Sequence, residues 1–290
     1  MTGLEEILSD SFVIIDKPQG PTSHEVSAWV RRISGVSRSG HAGTLDPNVS
    51  GVLPIALGRA TKMLKYVAGR RKVYVGIARF RKELTLDEAK ELFAKFTGKI
   101  RQLPPKMSAV KRKWRERRIY SLEPLEVEGK LVLFRADVEA GTYIRTLCVS
   151  LGKQVGGGRM EELRRVAVGN IGEGKAVTLQ DFSDAVWAWK EKGEEKYLRS
   201  MLIRPWELLG FRKIVVKKKA EENLISGAQL AAPGVASVDE KIRADETVAV
   251  YSEDGKFIGV GRALCSAEEM KGKAHGIVVK TERIHPERKE

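Results

Sequence analysis

The chain has 290 residues, 42% of them hydrophobic, which is enough for a buried core and for two domains. Its formal net charge of +14 calls for a polyanionic partner, and no apolar run is long enough to cross a bilayer. Two distant cysteines, Cys148 and Cys265, and four histidines, His24, His41, His275 and His285, exclude a disulfide scaffold and show no metal-binding spacing; with no signal-peptide design at the start, a cytoplasmic protein with reduced thiols is expected.

In chain order, Phe12-Val13-Ile14-Ile15 is a short apolar run ending in Asp16-Lys17-Pro18, which predicts a central strand leaving the core. Thr22-Ser23-His24-Glu25 is a capping box ahead of Val26, Trp29, Val30 and Ile33, with Gly35 as the stop, and predicts an amphipathic helix packed on a sheet. His24, at the helix start, reads as a surface or capping residue.

The run Gly40-His41-Ala42-Gly43-Thr44-Leu45-Asp46-Pro47 continues as Val49-Ser50-Gly51-Val52-Leu53-Pro54 and on to Lys62. Its glycines permit tight turns, and Pro47 biases Asp46 away from helix, so a stiff loop should present one carboxylate. Taken alone, such an Asp most often caps a neighbour. Alternation over Val73 to Phe80 puts Val73, Val75 and Ile77 on one face of a strand and Tyr74, Gly76, Ala78 and Phe80 on the other, with room beside Tyr74 over the small residues. Thr85 to Phe96 is a second capped helix, burying Leu86, Ala89, Leu92, Phe93 and Phe96 and ending at Gly98.

Between Arg101 and Arg118 stand eight basic residues and one acid, Glu116, punctuated by Pro104-Pro105 and Trp114. A charge run of this kind is commonly a solvated face; here the punctuation suggests a loop ordered on RNA, with Lys106, Lys111, Arg112 and Arg115 on phosphates and Trp114 stacking. Leu131 to Ala140 alternates as a strand, then turns at Gly141 into a helix with Ile144, Leu147, Cys148 and Leu151 inward. Arg145 near that helix start is badly placed for the helix dipole, and a carboxylate partner would explain it. Thr178 to Lys192 reads as a helix, and Pro205 to Gly210 as the domain boundary, followed by short strands around 213–217, 247–251, 257–263 and 276–282 that suggest a small β-barrel. Lys217-Lys218-Lys219 is a phosphate contact or a solvated strand end, and residues 287–290 are a frayed tail. The basic excess lies mostly in residues 1–210, with 37 Lys and Arg against 25 Asp and Glu.

These motifs resemble the TruB-type pseudouridine synthases, including the archaeal and eukaryotic dyskerin branch. The Gly40 to Lys62 run looks like the family's catalytic motif, Lys17 to Ser23 like its first motif, and Lys72-Val73-Tyr74 like its Lys-x-Tyr segment. Gln102, Pro104, Pro105, Ser108, Ala109 and Lys111 match a thumb segment; Ala140 to Leu147 and Glu161-Glu162-Leu163-Arg164-Arg165 match two later motifs; and segments from Arg212 to Glu282 resemble the PUA module.

The resemblance implies an α+β fold with a mixed, mainly antiparallel central sheet and flanking helices. It assigns residues 1–210 to the catalytic domain, with a mobile basic thumb near 101–118, and 211–286 to a small β-barrel PUA domain that binds RNA. It implies an RNA pseudouridine synthase that needs no cofactor and no metal. Asp46 would be the catalytic carboxylate, as nucleophile or base, with Arg145 paired to it and Tyr74 stacked on the target base. Leu163 would line the uracil slot, unless it is plain core. His41 would fill the space vacated in the RNA, Lys62 would meet phosphate, and Lys17 would join the substrate-binding set.

The pattern is most similar to the archaeal guide-dependent synthases. These act with an H/ACA guide RNA on target rRNA, beside a small zinc-ribbon-like protein, a small β-barrel protein and a kink-turn-binding protein. Two departures concern RNA anchoring: the first motif begins soon after Met1, and Gly156-Gly157-Gly158-Arg159-Met160 lacks the family's histidine. A stand-alone synthase for the tRNA T-arm is the alternative of the same class. A non-catalytic RNA-binding scaffold is the alternative of another, although binding alone needs no combination of Asp46, Tyr74 and Arg145.

Overall fold

The structure, a computed structural model, describes residues 3–105 and 111–285; Lys106, Ser108 and Ala109 of the expected thumb and the expected frayed tail lie outside the described residues. The chain divides into two units, Met1–Pro205 and Trp206–Glu290.

The first unit begins with α1 (Gly3–Leu8), β1 (Phe12–Lys17), α2 (Ser23–Ser34), β2 (Ser39–His41), β3 (Ser50–Leu57), α3 (Leu64–Ala68), β4 (Lys72–Phe80), α4 (Leu86–Ala94) and β5 (Gly98–Gln102). It continues with β6 (Arg115–Glu128), β7 (Leu131–Val138), α5 (Ile144–Lys153), β8 (Gly158–Val168), β9 (Ile171–Gly172), α6 (Leu179–Lys192) and α7 (Glu195–Met201); α8 (Pro205–Leu209) starts at the boundary and belongs mostly to the second unit. Seven strands form one sheet in the order β1-β3-β8-β4-β7-β6-β5, with β2 added to β3 and β9 to β8. Its pairings are antiparallel except for β3 with β8.

Two apolar clusters cover this sheet. Residues of β4, β6, β7 and β8 pack with α4 and α5, whereas those of β1 and β3 pack with α1, α2, α6 and α7. The loop between β2 and β3 joins them: Leu45 and Val49 enter the first cluster, while Leu53, Ile55 and Leu57 just downstream enter the second. That junction holds Asp46.

Helices α2 and α4 form where their local signals stand. Thr22 and Glu25 close a reciprocal capping box on α2, which ends at Gly35 in the left-handed conformation; Thr85 and Glu88 do the same for α4. Four expectations need correction. β1 is a terminal strand of the sheet, not a central one; it is buried because single bridges from Phe12 to Ile203 and Ile15 to Val177 cover its outer edge. Leu86 is exposed, since the first residue of α4 lies outside the contact face. Helix α4 ends at Lys95, and Gly98 opens β5 instead. Finally, the basic thumb is narrower than 101–118: Gly98 to Gln102 pairs with Ile119 to Arg115, so both ends of the charged run are rungs of a hairpin.

The second unit is a six-stranded sheet in the order β11-β15-β14-β13-β10-β12, built from β10 (Lys213–Val216), β11 (Leu230–Ala231), β12 (Val235–Val238), β13 (Thr247–Ser252), β14 (Phe257–Ala263) and β15 (Ile277–Ile284). It also contains α9 (Lys218–Ile225) and α10 (Ala267–Gly272), neither of which the strand pattern predicted. The Ser266 and Glu269 capping box is the local signal that marks α10. Helix α9 has no side-chain cap, and Lys218 and Lys219 form its first turn, not a strand end.

Candidate active site

Asp46 stands on a loop whose backbone is tied down on every side. The Ser23 hydroxyl accepts from the Leu45 N–H at 2.8 Å and lies 3.0 Å from the Leu45 carbonyl. Val49 N–H donates to the Asp46 carbonyl at 3.0 Å, and Gly20 N–H to the Pro47 carbonyl at 2.9 Å. The Lys17 ammonium donates to the carbonyls of Pro18 at 2.7 Å and Pro47 at 3.1 Å. From beneath, the Arg165 guanidinium donates to the Val52 carbonyl at 2.8 Å and the Gly43 carbonyl at 3.0 Å. Gly51 allows this approach: at φ +105°, a Cβ there would lie 2.2 Å from the Arg165 carbonyl.

The carboxylate so presented is hydrogen-bonded to Arg145, the second residue of α5. Both side chains are about half exposed, at 48% for Asp46 and 45% for Arg145, so the pair is open to solvent. The start of α5 is itself clamped. The buried Gln102 amide donates to the Tyr143 carbonyl at 3.1 Å and accepts from the Tyr143 N–H at 3.0 Å, tying the end of β5 to the helix that carries Arg145.

Tyr74 and Leu163 are apolar neighbours, buried on the adjacent strands β4 and β8. In the β4 and β8 pairing, Tyr74 faces Arg165 and Gly76 faces Leu163, and both apolar residues belong to the same cluster as Leu45 and Val49. A Cβ at Gly76 would lie 2.7 Å from Leu163 Cδ1, so the room expected over Gly76 is taken by Leu163 itself. Arg165 also lies opposite Tyr74 in the β4 and β8 pairing, so one residue neighbours both the aromatic side chain and the loop that carries Asp46.

His41 lies 3.2 Å from the Thr44 hydroxyl through Nε2, and its ring meets His24 edge-on at 4.7 Å. Burial, then the neighbouring His24 and Arg165, pushes its pKa down to about 4. An imidazole whose folded pKa lies below its unfolded value stabilises the fold fully above pH 6.5 and loses that contribution as pH falls toward 4. We expect His41→Asn to flatten the stability profile between those limits, measured as urea midpoints at pH 4, 5, 6 and 7; an unchanged profile would refute the assignment.

Other sequence candidates lie elsewhere. Lys62 is exposed on the 3-10 turn Gly58–Met63. Lys111, Arg112 and Trp114 are exposed, and the Arg101 guanidinium sits 5.7 Å from the Trp114 ring. Arg115 is half-buried at the start of β6 and donates to the Lys111 carbonyl at 3.4 Å. Lys17 is the correction among them: its side chain is wholly buried and its ammonium is held by backbone carbonyls, so it braces the loop and cannot itself contact substrate. Burial lowers its pKa, partly offset by the charge of Asp46.

Comparison with known proteins accords with this constellation. Residues 31–144 match the TruB family pseudouridylate synthase N-terminal domain, 145–209 the tRNA pseudouridylate synthase B C-terminal domain, and 212–285 the PUA domain. A probable tRNA pseudouridine synthase B of Pyrobaculum calidifontis is 46% identical over 282 residues, covering 97% of this chain and 85% of that one. Its counterpart in Archaeoglobus fulgidus is 46% identical over 288 residues, covering 98% and 88%. The chain belongs to the TruB family of pseudouridylate synthases. It is an isomerase. Among solved structures, a chain of a Cbf5-Nop10-Gar1 complex superposes with a TM-score of 0.89 at 39% identity, covering 97% of this synthase and 86% of that chain. A chain of an H/ACA RNP bound to a substrate RNA containing 2′-deoxyuridine gives 0.88 at 36% identity, covering 97% and 86%.

Sequence reading missed the residues that brace the synthase site from inside. Arg165 and Lys72 occupy inward positions of otherwise apolar strand faces, two residues from Leu163 and Tyr74 respectively. A charge at an inward position of an alternating strand was the available signal. Lys72 is buried, donates to the Ala68 and Arg70 carbonyls, and has its pKa pushed down to about 8 by burial and the Arg165 charge. Ser23 and Gln102 carried no such signal, because their partners lie 22 and 41 residues away.

Proposed function

We propose that Asp46 is the carboxylate that acts at the sugar of a flipped uridine, that Arg145 orients it, and that Tyr74 and Leu163 hold the base while it turns. In the reaction the bond from N1 to C1′ breaks, a bond from C5 to C1′ forms, C5 loses its proton and N1 gains one. The balance is redox-neutral, so this reading requires no cofactor. The observation that carries it is one half-exposed carboxylate, hydrogen-bonded to an arginine, on a braced loop that shares an apolar cluster with Tyr74 and Leu163. Extruding the uridine costs on the order of a few kcal/mol, which stacking on Tyr74 and phosphate contacts from Lys62, Lys111, Arg112 and Arg115 would offset.

We infer further that the synthase works on target RNA presented by an H/ACA guide, beside small partner proteins of the kinds present in the similar complexes. Similarity along 97% of the chain to the protein of a substrate-bound H/ACA RNP supports this. The names of the curated relatives favour a second reading, direct action on tRNA.

Release of tritium from uracil C5 separates the two, with labelled target plus guide RNA and partner proteins in one arm and labelled tRNA alone in the other. Release only in the guided arm is expected. Release from bare tRNA would establish the second reading, and bound RNA without release in either arm would overturn both.

A further inference from the structure

Two buried cations lie against the loop that carries Asp46, and both bond to main-chain oxygen. The Lys72 ammonium donates to the Ala68 carbonyl and, at 2.7 Å, to the Arg70 carbonyl, while the Arg165 guanidinium donates to the Val52 and Gly43 carbonyls. They meet under one turn: a Cβ at Gly43, three residues before Asp46, would lie 3.4 Å from Arg165 Nη1 and 3.6 Å from Lys72 Cε. Neither forms an ion pair with a carboxylate among the described residues. A buried charge is ordinarily matched by one of opposite sign, because leaving water is costly and a counter-charge offsets part of that cost. Here two of the same sign stand together. Bracing carbonyls does not require this, since the neutral Gln102 amide clamps the Tyr143 backbone without a charge.

The register of the sheet gives the charges a use. Buried positions of β4 run Lys72, Tyr74, Gly76, those of β8 run Leu163, Arg165, and Tyr74 lies opposite Arg165. The residues that would hold the base and the two cations thus share one face. When N1 leaves C1′ it takes the bonding electron pair. Negative charge that starts on Asp46 then passes to the uracil ring, whether the carboxylate ends as an ester or takes a proton, and stays there until C5 bonds to C1′. Bound uridine is neutral, so fixed positive charge beside the ring favours the separated state over the starting one.

We propose that Lys72 and Arg165 are positioning residues for the detached base, fixed charges beside Tyr74 and Leu163 that stabilise uracil as an anion between bond breaking and bond making. They act through their field and not by contact with the ring. The proposal rests on reading Asp46 as the reacting carboxylate. Facing Lys72 are Arg165 from β8, Tyr74 along its own strand, the Gly43 turn with His41 near it, and the apolar Val138 and Val168 on the flanking strands. Burial and the Arg165 charge bring Lys72 down to about 8, and His41, at about 4, is already neutral there. The supporting charge is therefore complete at neutral pH and is halved as Lys72 loses its proton above about 8.

The test measures single-turnover rates of the full chain on a guided target with its guide and partner proteins and on a tRNA T-arm, each carrying uridine or 5-fluorouridine at the reacting position. Loss of the starting nucleoside from nuclease digests reads both, and 5-fluorouridine reads bond breaking alone because its C5 has no proton to lose. Fluorine withdraws electrons and makes the ring a better anion, so this base needs the cations less. Lys72→Gln keeps a donor for the carbonyls and removes the charge. At about pH 6.5, where both rings are uncharged, it should slow uridine by roughly 10- to 100-fold and 5-fluorouridine several-fold less. Lys72→Met, which loses the bonds as well, should show the same difference between bases on top of a lower Tm. On uridine, the rate of the wild type relative to Lys72→Gln should fall above about pH 8, a ratio from which ionisation of the RNA cancels. A misplaced loop slows both bases alike, so equal losses on the two bases in both variants, or a ratio that stays flat to about pH 9.5, would overturn the proposal and leave Lys72 a brace. Asp46→Asn separates the two readings: turnover at the wild-type rate removes Asp46 and this proposal with it, whereas lost turnover with equal losses on the two bases removes the cation role alone.

Discussion

Asp46→Asn is expected to abolish C5 tritium release in single-turnover experiments, by about 10⁴-fold or more if the carboxylate is a nucleophile and by about 10²- to 10⁴-fold if it is a base. The fold should hardly notice. Asn keeps an oxygen that can accept from Arg145, and both partners are about half exposed, where an ion pair contributes roughly 0 to 1 kcal/mol. Any large effect on rate is then chemical in origin, not structural. The measurement pairs the rate with Tm and RNA affinity: a wild-type rate would remove Asp46 from the mechanism, and a collapse of Tm would move it from chemistry to architecture.

The second large effect falls on Arg165, which touches the site only from below. Its guanidinium is buried and donates to the Val52 and Gly43 carbonyls, and the residue pairs with Tyr74 across β4 and β8. Arg165→Met keeps most of the volume and removes every donor, leaving buried acceptors unmet at about 1 to 3 kcal/mol each. A net loss near 3 kcal/mol is expected, about 6 to 12 °C in Tm for a unit of this size. Arg165→Lys separates charge from geometry, since one ammonium lacks the planar fork that reaches two carbonyls at once. We expect the Lys variant to recover part of the Tm but to turn over slowly, with kcat affected more than KM, because the Gly43 turn loses its anchor. Full activity in the Met variant at a temperature where it is folded would show that Arg165 is structural only.

Both predictions concern groups whose partners are remote along the chain, and this sets what could be read in advance. The interactions from Arg145 to Asp46, Arg165 to Val52 and Arg165 to Gly43 span 99, 113 and 122 residues. The poor fit of Arg145 to its helix start revealed the need for a carboxylate; which carboxylate it was came from resemblance and then from geometry. Arg165 looked like a motif neighbour of Leu163, yet it is the buried brace. Lys17 looked like a substrate contact, yet its ammonium faces inward. Side-chain direction depends on what the opposite strand and loop place nearby, and no local pattern contains that.

By itself, then, the sequence determined the helices whose signals are local: α2 and α4 begin at capping boxes closed within four residues, and a left-handed glycine stops α2. It determined the alternating faces of β4 and β7, because a pleated strand has a period of two wherever it lies. It also determined the motif that carries Asp46. Tertiary structure alone decided that β1 ends the sheet, that the thumb is rooted in a hairpin, that Gln102 clamps the start of α5, and that Lys72 and Arg165 meet under the Gly43 turn. Each of these depends on contacts closed across long loops, whose free energy comes from packing and hydrogen bonds formed only when the whole unit assembles.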